Sequence, residues 1–578
     1  MIYFLLLLPD YKATEYNNVG LTITSYGVVG NNFSYQVDLP SFEYPLGSRT
    51  EHLTIAGIWV GAININGDTL VTTAAIDQYA GSSVSGEGFE FFKEDSVSVY
   101  STLLTSPYYD PLNAFSEQDF VTAFNDYSGT APEHNPLNIE VKLRAFLWSY
   151  SYIDDIVFLK FTIVNRSGGD LSNVYIGWYS ELVTGNRDFW GDQFARTPFF
   201  QHKRVFFVDS LSLVWEKNDG QVDTLATSMV GFQFLGYVKD GQKYVLRDSV
   251  SFLWFQWDPN ANRTDVDRYR YMAMDTVYPN VDDDYLQFNP YPDPVELIAF
   301  GPIDYIPAGD SIVVYLSAVG GLYEEHLYEN AAWAVRAFER DFVLPAPPPS
   351  PKMVAITDEN KVTLYWDDSP EDFVDPFSHE KDFEGYKVLR GFSEVKDSTW
   401  IVLRQYDKVD SIGYDAGLPQ ITTDCPEELN VSQCYYFVDE GVKNGFTYYY
   451  SVISFDKGNQ DMGIPVLESS YRQNLAMVIP GAKPSVDKPI RVYPNPFRYS
   501  SRFGGVYIAN LPRRAEVYIY DISGNLIRKM EHNDPSRGEI LWDMKNSSGF
   551  PVAPGLYIVV VKDLNTGRKR MARIGVIK

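Results

Sequence analysis

The sequence predicts an all-β, multi-domain protein: a large N-terminal β-sandwich region carrying one packed helix, followed by two smaller sandwiches. Three observations lead there. Short segments of period-two alternation recur along the chain, bounded by Gly, Asn and Pro. A single stretch shows the 3.6-residue stripe of an amphipathic helix. Two proline-containing breaks separate the remainder, and 578 residues exceed what one hydrophobic core usually organises.

Residues 1–16 open with the apolar run Ile2 to Leu8, which no Lys or Arg precedes and no small-residue cleavage site follows before Pro9-Asp10. The run is too short to span a bilayer. It reads either as the remnant of a leader or as a strand exchanged into the sheet of a second copy. Residues 17–344 then run strand after strand, as in Leu21 to Thr24, Glu140 to Leu147 and Ile156 to Val164. The breaks between strands carry turn chemistry, as in Asn66-Gly67-Asp68 and Asn165 to Asp170. The spacing suits one large sandwich or two fused ones, not a βαβ fold.

The helix is expected over about 323–340, where Leu327, Ala331, Ala334, Val335 and Phe338 share one face while Glu324, Glu325, Glu329, Arg336 and Glu339 lie elsewhere. The proline-dense segment 345–351 favours extended polyproline II and predicts a stiff spacer. Residues 352–479 form the next domain, with strands at Val362 to Trp366, Phe383 to Arg390 and Phe446 to Ile453. A second linker at 480–489 leads to the last domain, 490–578, whose strands include Glu516 to Asp521 and Gly555 to Val561.

Particular residues carry resemblances. Trp366 entering a core and Tyr448 at a tyrosine-corner position make residues 352–479 resemble a fibronectin type III domain. Tyr493-Pro494-Asn495-Pro496-Phe497, Ile519-Tyr520-Asp521 before Gly524, Trp542-Asp543, Pro554-Gly555-Leu556-Tyr557 and Ile574 to Lys578 occur in that order. This order resembles the C-terminal sorting domain of type IX secretion cargo, a module similar to the Ig-like domain of flagellar hook-capping proteins. Glu43 to Ser48, Glu51-His52-Leu53 and Gly57 to Ala62 resemble the opening of large secreted bacterial proteins of unassigned function. The acidic residues Glu181, Asp188 and Asp192 that follow Tyr175 to Ser180 are sparser than in that pattern. The resemblances imply two Ig-like sandwiches after the N-terminal region and export across an outer membrane. They imply location rather than activity.

Composition narrows the function classes. Against 48 Lys+Arg stand 76 Asp+Glu, a formal net charge of −28 that repels nucleic acid and anionic membrane surfaces. The two cysteines, Cys425 and Cys434, are too few for a thiolate zinc site, and their spacing allows a local disulfide in an oxidising compartment. The six histidines, His52, His134, His202, His326, His379 and His532, show no metal-ligand spacing. No nucleophile elbow, phosphate-binding loop or dinucleotide fingerprint occurs, although a hydrolase built from two distant carboxylates would leave no local signature.

The best candidate metal site is Asp258, Asn260, Asn262, Asp265 and Asp267, whose alternating oxygen side chains suit calcium as the one cofactor considered. The usual glycine is missing and Arg263 adds a positive charge, and an ordinary Asx-rich turn accounts for the same residues. Asp followed by Ser or Thr and an aliphatic residue recurs at Asp68, Asp95, Asp209, Asp223, Asp248, Asp275, Asp310 and Asp410. It resembles the O-glycosylation motif of bacteria that use type IX secretion, and a turn before a strand start produces the same letters.

The function expected is that of an extracellular structural or adhesive protein without enzymatic activity, its partners being further copies of itself, cell-surface glycans, or both. The alternative is a glycan-binding or glycan-degrading protein with accessory Ig-like domains. Neither nucleic acid nor a membrane span enters either reading.

Overall fold

The computed structural model describes residues 11–31, 39–79, 85–87, 90–103, 106–129, 134–189, 199–200, 203–218, 227–258, 264–288, 293–394, 399–458, 465–499, 505–535 and 537–577. The chain divides into two compact units. The first comprises residues 1–349, 374–382 and 458–473, and the second 350–373, 383–457 and 474–578. The apolar run Ile2 to Leu8 lies outside the described residues; the strand Tyr11–Ala13 just after it pairs antiparallel with Gly20–Thr24 of the same chain.

The first unit is built on two antiparallel sheets of nine and ten strands among the described residues. The first runs through Thr50–Ile63, Leu171–Asn186 and Pro294–Ile306. The second runs through Gln118–Asn125, Ile139–Leu147, Ile156–Asn165, Ser311–Gly321 and Met229–Lys239. One core lies between them, and it holds Trp178 against Phe232 at 5.1 Å and Phe161 at 5.9 Å. The region is therefore one sandwich with one shared core, not two sub-domains.

Each sheet also buries part of its outer face, which accounts for strands that read as continuous apolar runs. In Ile156–Asn165, the side chains of Val157, Leu159, Phe161 and Ile163 enter the inter-sheet core, while Ile156 and Phe158 turn the other way beneath the helix Glu324–Glu339. Alternation survives in direction but not in polarity when both faces are covered. The helix occupies the expected stretch and buries all five expected residues, together with Asn330 and Ala337. Asn330 donates to the Asp155 carboxylate at 3.1 Å and to the Gly320 carbonyl at 2.9 Å, which tolerates an amide on a buried face.

The α-helices Asp265–Met272 and Asp283–Phe288 stand where the sequence pattern predicts none. Met272 of the former lies against Gly61 and Gly177 of the first sheet, where added β-carbons would stand 2.5 Å from its Cε and 3.0 Å from its Sδ. Glycine there permits the close approach of helix to sheet.

The proline run departs from the stiff-spacer expectation. Leu344 to Pro348 are buried, the Ala346 N–H donates to Asp375 Oδ2 at 2.9 Å, and the Pro345 carbonyl accepts the Tyr152 hydroxyl at 2.6 Å. Lacking N–H groups, prolines leave only carbonyls to satisfy on burial, so a proline-rich segment packs at little hydrogen-bonding cost.

The second unit holds two sandwiches. In the first, a four-stranded sheet through Met353–Asp358, Lys361–Trp366 and Cys434–Asp439 faces another through Ile401–Asp407, Phe383–Gly391, Tyr448–Asp456 and Ala476–Val478. Trp366 is fully buried between them, and the Tyr448 hydroxyl accepts the Lys443 N–H at 3.0 Å, the hydrogen bond of a tyrosine corner. In the second, sheets of three and five strands enclose Val517, Ile519, Trp542, Val559, Val561 and Ile574. The protein is all-β and multi-domain.

Candidate functional site

The residues singled out from sequence fall in different places. Cys425 and Cys434 are joined by a disulfide with Cα atoms 5.9 Å apart. In the Asp258 segment, Asn260 and Asn262 lie outside the described residues. Asp265 and Asp267 sit in the first turn of a helix, not in a loop. Thr264 caps that helix, its hydroxyl accepting the Asp267 N–H at 3.3 Å while the Asp267 carboxylate accepts the Thr264 N–H at 3.1 Å. Asp267 is thereby committed to a capping box. Burial, reinforced by the nearby Glu90 carboxylate, raises Asp265 to about 6. Among the described residues no three His, Cys, Asp or Glu side chains converge as a metal cage. Asp68, Asp95, Asp209, Asp248, Asp275, Asp310 and Asp410 are all exposed, and Asp223 lies outside the described residues.

The deepest cluster of titratable groups surrounds Lys203 in the first unit. Its side chain is wholly enclosed, with Nζ 3.2 Å from Asp293 Oδ1 and 2.8 Å from the Leu182 carbonyl. Burial raises Glu216 to about 7 and Glu296 to about 8, against the opposing pull of Lys203. His52 beside them is fully buried, with Nε2 3.1 Å from the Ser228 hydroxyl, and burial lowers it to about 4. Carboxyls with near-neutral pKa values are what acid-base catalysis uses. Here both have zero exposure, the arrangement of an internal polar network rather than of an open pair of acids.

An open site forms on the outer face of the ten-stranded sheet. Strand register sets Arg144 opposite Lys160, and Lys160 opposite Tyr315, so three residues far apart in sequence form one row across three strands. Period-two alternation places Phe146 and Phe158, also cross-strand partners, on the same face two positions along. With Phe115, Lys243, Phe338, Asp341 and Phe342 this row lines a groove of about 450 Å³. Gly236, opposite Tyr315 on the next strand, admits the Phe338 ring, whose Cε1 would lie 2.5 Å from an added β-carbon.

One wall is made by how the helix Glu324–Glu339 ends. The Phe342 N–H donates to the Ala337 carbonyl at 2.8 Å and the Asp341 N–H to the Phe338 carbonyl at 3.1 Å, the pair of bonds of a Schellman ending. Asp341 and Phe342 both take left-handed backbone, φ 55° and 60°, a costly conformation for residues with side chains. The result carries the Phe342 ring over the groove, 5.0 Å from Phe146 and 5.8 Å from Tyr315.

The charges of the groove are unequally matched. Arg144 pairs with Asp119 at 2.6 Å, and Asp119 also accepts the Ser116 and Phe115 N–H groups, fixing the loop that presents Phe115, which is 46% exposed. Lys243 binds the Phe338 carbonyl at the helix C-terminus at 2.9 Å and pairs with Asp341. Lys160 lies over the Tyr315 ring at 5.8 Å, and among the described residues no carboxylate pairs with it. Burial and the neighbouring Arg144 push its pKa down. Aromatic walls beside an unmatched cation suit a ligand with an apolar face and a negative charge. Sequence reasoning missed this site because Arg144, Lys160 and Tyr315 share no local motif; only register aligns them.

Comparison with known proteins adds little. No protein-family model matches the chain, and no curated protein does. Among solved structures, a polysaccharide lyase is similar at 7% identity and TM-score 0.23, over 89% of this chain and 52% of the other, so the chain spans about half the length of that enzyme. The FN1–FN3 domains of chicken CNTN1 are similar at 10% identity and TM-score 0.14, over 61% of this chain and 94% of theirs. PorZ, a bacterial surface component of the type-IX secretion system of Porphyromonas gingivalis, is similar at 10% identity and TM-score 0.15, over 98% of this chain and 75% of the other. Likenesses at these scores leave the function to be argued from the chain's own residues.

Proposed function

We propose that the protein is an exported, cell-surface adhesive protein without enzymatic activity, whose N-terminal sandwich binds an acidic glycan in the groove lined by Arg144, Lys160, Phe115, Tyr315 and Phe342. The observation that carries the reading is the unmatched Lys160 ammonium on an aromatic floor, in a chain whose net charge is −28. Sugar rings stack their C–H faces on aromatic side chains, while a uronate or sulfate would take the cation. Export is supported by the resemblance of residues 490–578 to a sorting domain and by the Cys425–Cys434 disulfide, a bond that persists in oxidising compartments.

A panel of neutral, uronate-bearing and sulfated polysaccharides tests this directly. The intact protein should retain acidic polymers and release them with rising salt. Lys160→Met combined with Phe115→Ala should weaken retention at least tenfold while leaving the melting temperature within about 2 °C. Equal retention of the variant, or no acidic polymer retained by the intact protein, would sink the proposal.

Self-assembly is the second reading, and its supporting observation is the three-residue strand Tyr11–Ala13, which ends the nine-stranded sheet among the described residues. Sedimentation of the full chain and of a form lacking residues 1–13 should differ in oligomeric state; identical monomers end that reading.

A further inference from the structure

Charge is unevenly spread along the chain. Of the 48 Lys+Arg and 76 Asp+Glu, residues 490–578 hold 15 and 7, a net charge of +8, while residues 1–489 hold 33 and 69, a net charge of −36. The change of sign coincides with the last sandwich, and strand register shows where its cations stand. In the five-stranded sheet Val517, Val559 and Ile574 enter the core, so the alternate positions of the same strands make its outer face. One row across that face sets Tyr518 opposite Val560 and Val560 opposite Met571. The next sets Tyr520 opposite Ile558 and Ile558 opposite Arg573, and on the other side Glu516 stands opposite Lys562 and Lys562 opposite Lys569.

The strand Gly555–Asp563 is therefore apolar on both faces, with Tyr557, Val559 and Val561 inside and Leu556, Ile558 and Val560 outside. A strand of that pattern is ordinarily covered on both sides. Here the outer face stands open, for Met571 is 71%, Leu526 51% and Leu556 46% exposed. Contiguous exposed apolar surface rimmed by charge marks an interaction site. The two acids of the face are matched within it. Lys529 and Lys562 bind the Glu516 carboxylate at 2.7 and 3.3 Å, and Lys529 stands 3.7 Å from Glu531. Lys569 and Arg573 are exposed, and among the described residues no carboxylate pairs with either.

We propose that this face docks on the acidic remainder, residues 1–489, of a second copy of the chain. Charge complementarity argues for that occupant. The remainders of two copies, each at −36, repel one another, as do two basic sandwiches; only a contact between unlike parts brings opposite charges together. The apolar rows supply surface to bury, and Lys569 and Arg573 set the orientation. Such a contact is heterologous, so every copy keeps a free face of each kind and growth runs on into a ring or an open filament. It shares with the self-assembly reading only the claim that copies meet, and it uses a surface separate from the strand Tyr11–Ala13.

Sedimentation velocity of the full chain in about 0.02 M and about 0.5 M salt tests the docking, because screening over that range removes most of the attraction between exposed charges. The parent should sediment as dimers and longer chains at low salt and shift toward monomer at high salt. Lys569→Glu with Arg573→Glu should weaken low-salt association at least tenfold while the melting temperature stays within about 2 °C. Lys142→Glu with Lys443→Glu, the same change of charge placed in the acidic remainder, should leave association undiminished. The salt-dependent step should survive deletion of residues 1–13. Carbodiimide coupling of isotope-labelled with unlabelled chain should join Lys569 of one copy to carboxylates within residues 1–489 of the other. A parent that is monomeric at low salt overturns both this docking and the self-assembly reading; a Lys569→Glu, Arg573→Glu variant that associates as the parent does overturns the docking alone. Capture of a monomeric parent on phosphatidylglycerol vesicles, lost in that variant, would assign the face to a lipid surface and equally overturns the docking.

Discussion

Glu117 offers a quantitative test of how the first unit handles its buried carboxyls. Its side chain is enclosed, accepts the Ser149 N–H at 2.6 Å on one oxygen and the Gln473 amide at 2.8 Å on the other, and among the described residues pairs with no cation. The titratable groups facing it are the phenols of Tyr16 and Tyr150, whose own pKa values are pushed upward, away from neutrality. Burial raises Glu117 from 4.5 to about 7. Between those values the folded chain binds a proton that the unfolded chain has lost, so stability from this group is complete below about pH 4.5 and drains away as pH rises to about 7. At about 1.4 kcal/mol per pKa unit the full swing is about 3 kcal/mol. Glu117→Gln removes the proton from the balance. The variant carries a constant cost for exchanging an acceptor for an amide N–H, but its stability relative to the parent should improve by about 3 kcal/mol between pH 4.5 and pH 8. With ~2 °C per kcal/mol for a unit of this size, the melting difference between variant and parent should move by about 6 °C in the variant's favour over that range. Parallel melting curves, with a difference flat to within 1 °C, would show that Glu117 ionises normally and would refute the burial argument.

Opening the Cys425–Cys434 bridge, by reduction or by replacing both residues with Ser, frees a link of nine residues' separation and should cost about 2–3 kcal/mol in chemical denaturation of the second unit. Tyr448→Phe should cost about 1–2 kcal/mol, because it strands the Lys443 N–H that the hydroxyl now satisfies; a change below about 0.3 kcal/mol would deny the tyrosine corner its role. Asp341→Gly should stabilise the first unit by ~0.5–1 kcal/mol, since Gly relieves the left-handed backbone at the helix end, and thermal melting of the variant reads it directly. The loss of the exposed Lys243–Asp341 pair subtracts little from that gain.

Much of the fold was legible wherever one local period dominates. In Arg514–Asp521, Ala515, Val517 and Ile519 are buried in alternation, the pattern from which the strand is read. The helix Glu324–Glu339 was equally readable, because four turns give its apolar stripe enough repeats to be distinct. Asp265–Met272 was not, since eight residues that bury only Arg268 and Met272 carry no stripe. The signal that marks its start is the Thr264-x-x-Asp267 capping box, whose residues overlap the row of candidate cation ligands. The proline run misled for a related reason: proline density specifies an extended backbone but says nothing of what that backbone packs against.

By itself the sequence determined the β class and the position of the long helix, because each depends on residue types at fixed short spacing. Only the tertiary structure decided that the first 349 residues form two sheets around one core with parts of their outer faces also covered. It alone brought Arg144, Lys160 and Tyr315 into one row. That juxtaposition depends on strand register, and a one-residue slip would reverse the face on which every side chain stands. Register is settled by the packing of whole sheets, which no short stretch of the chain encodes.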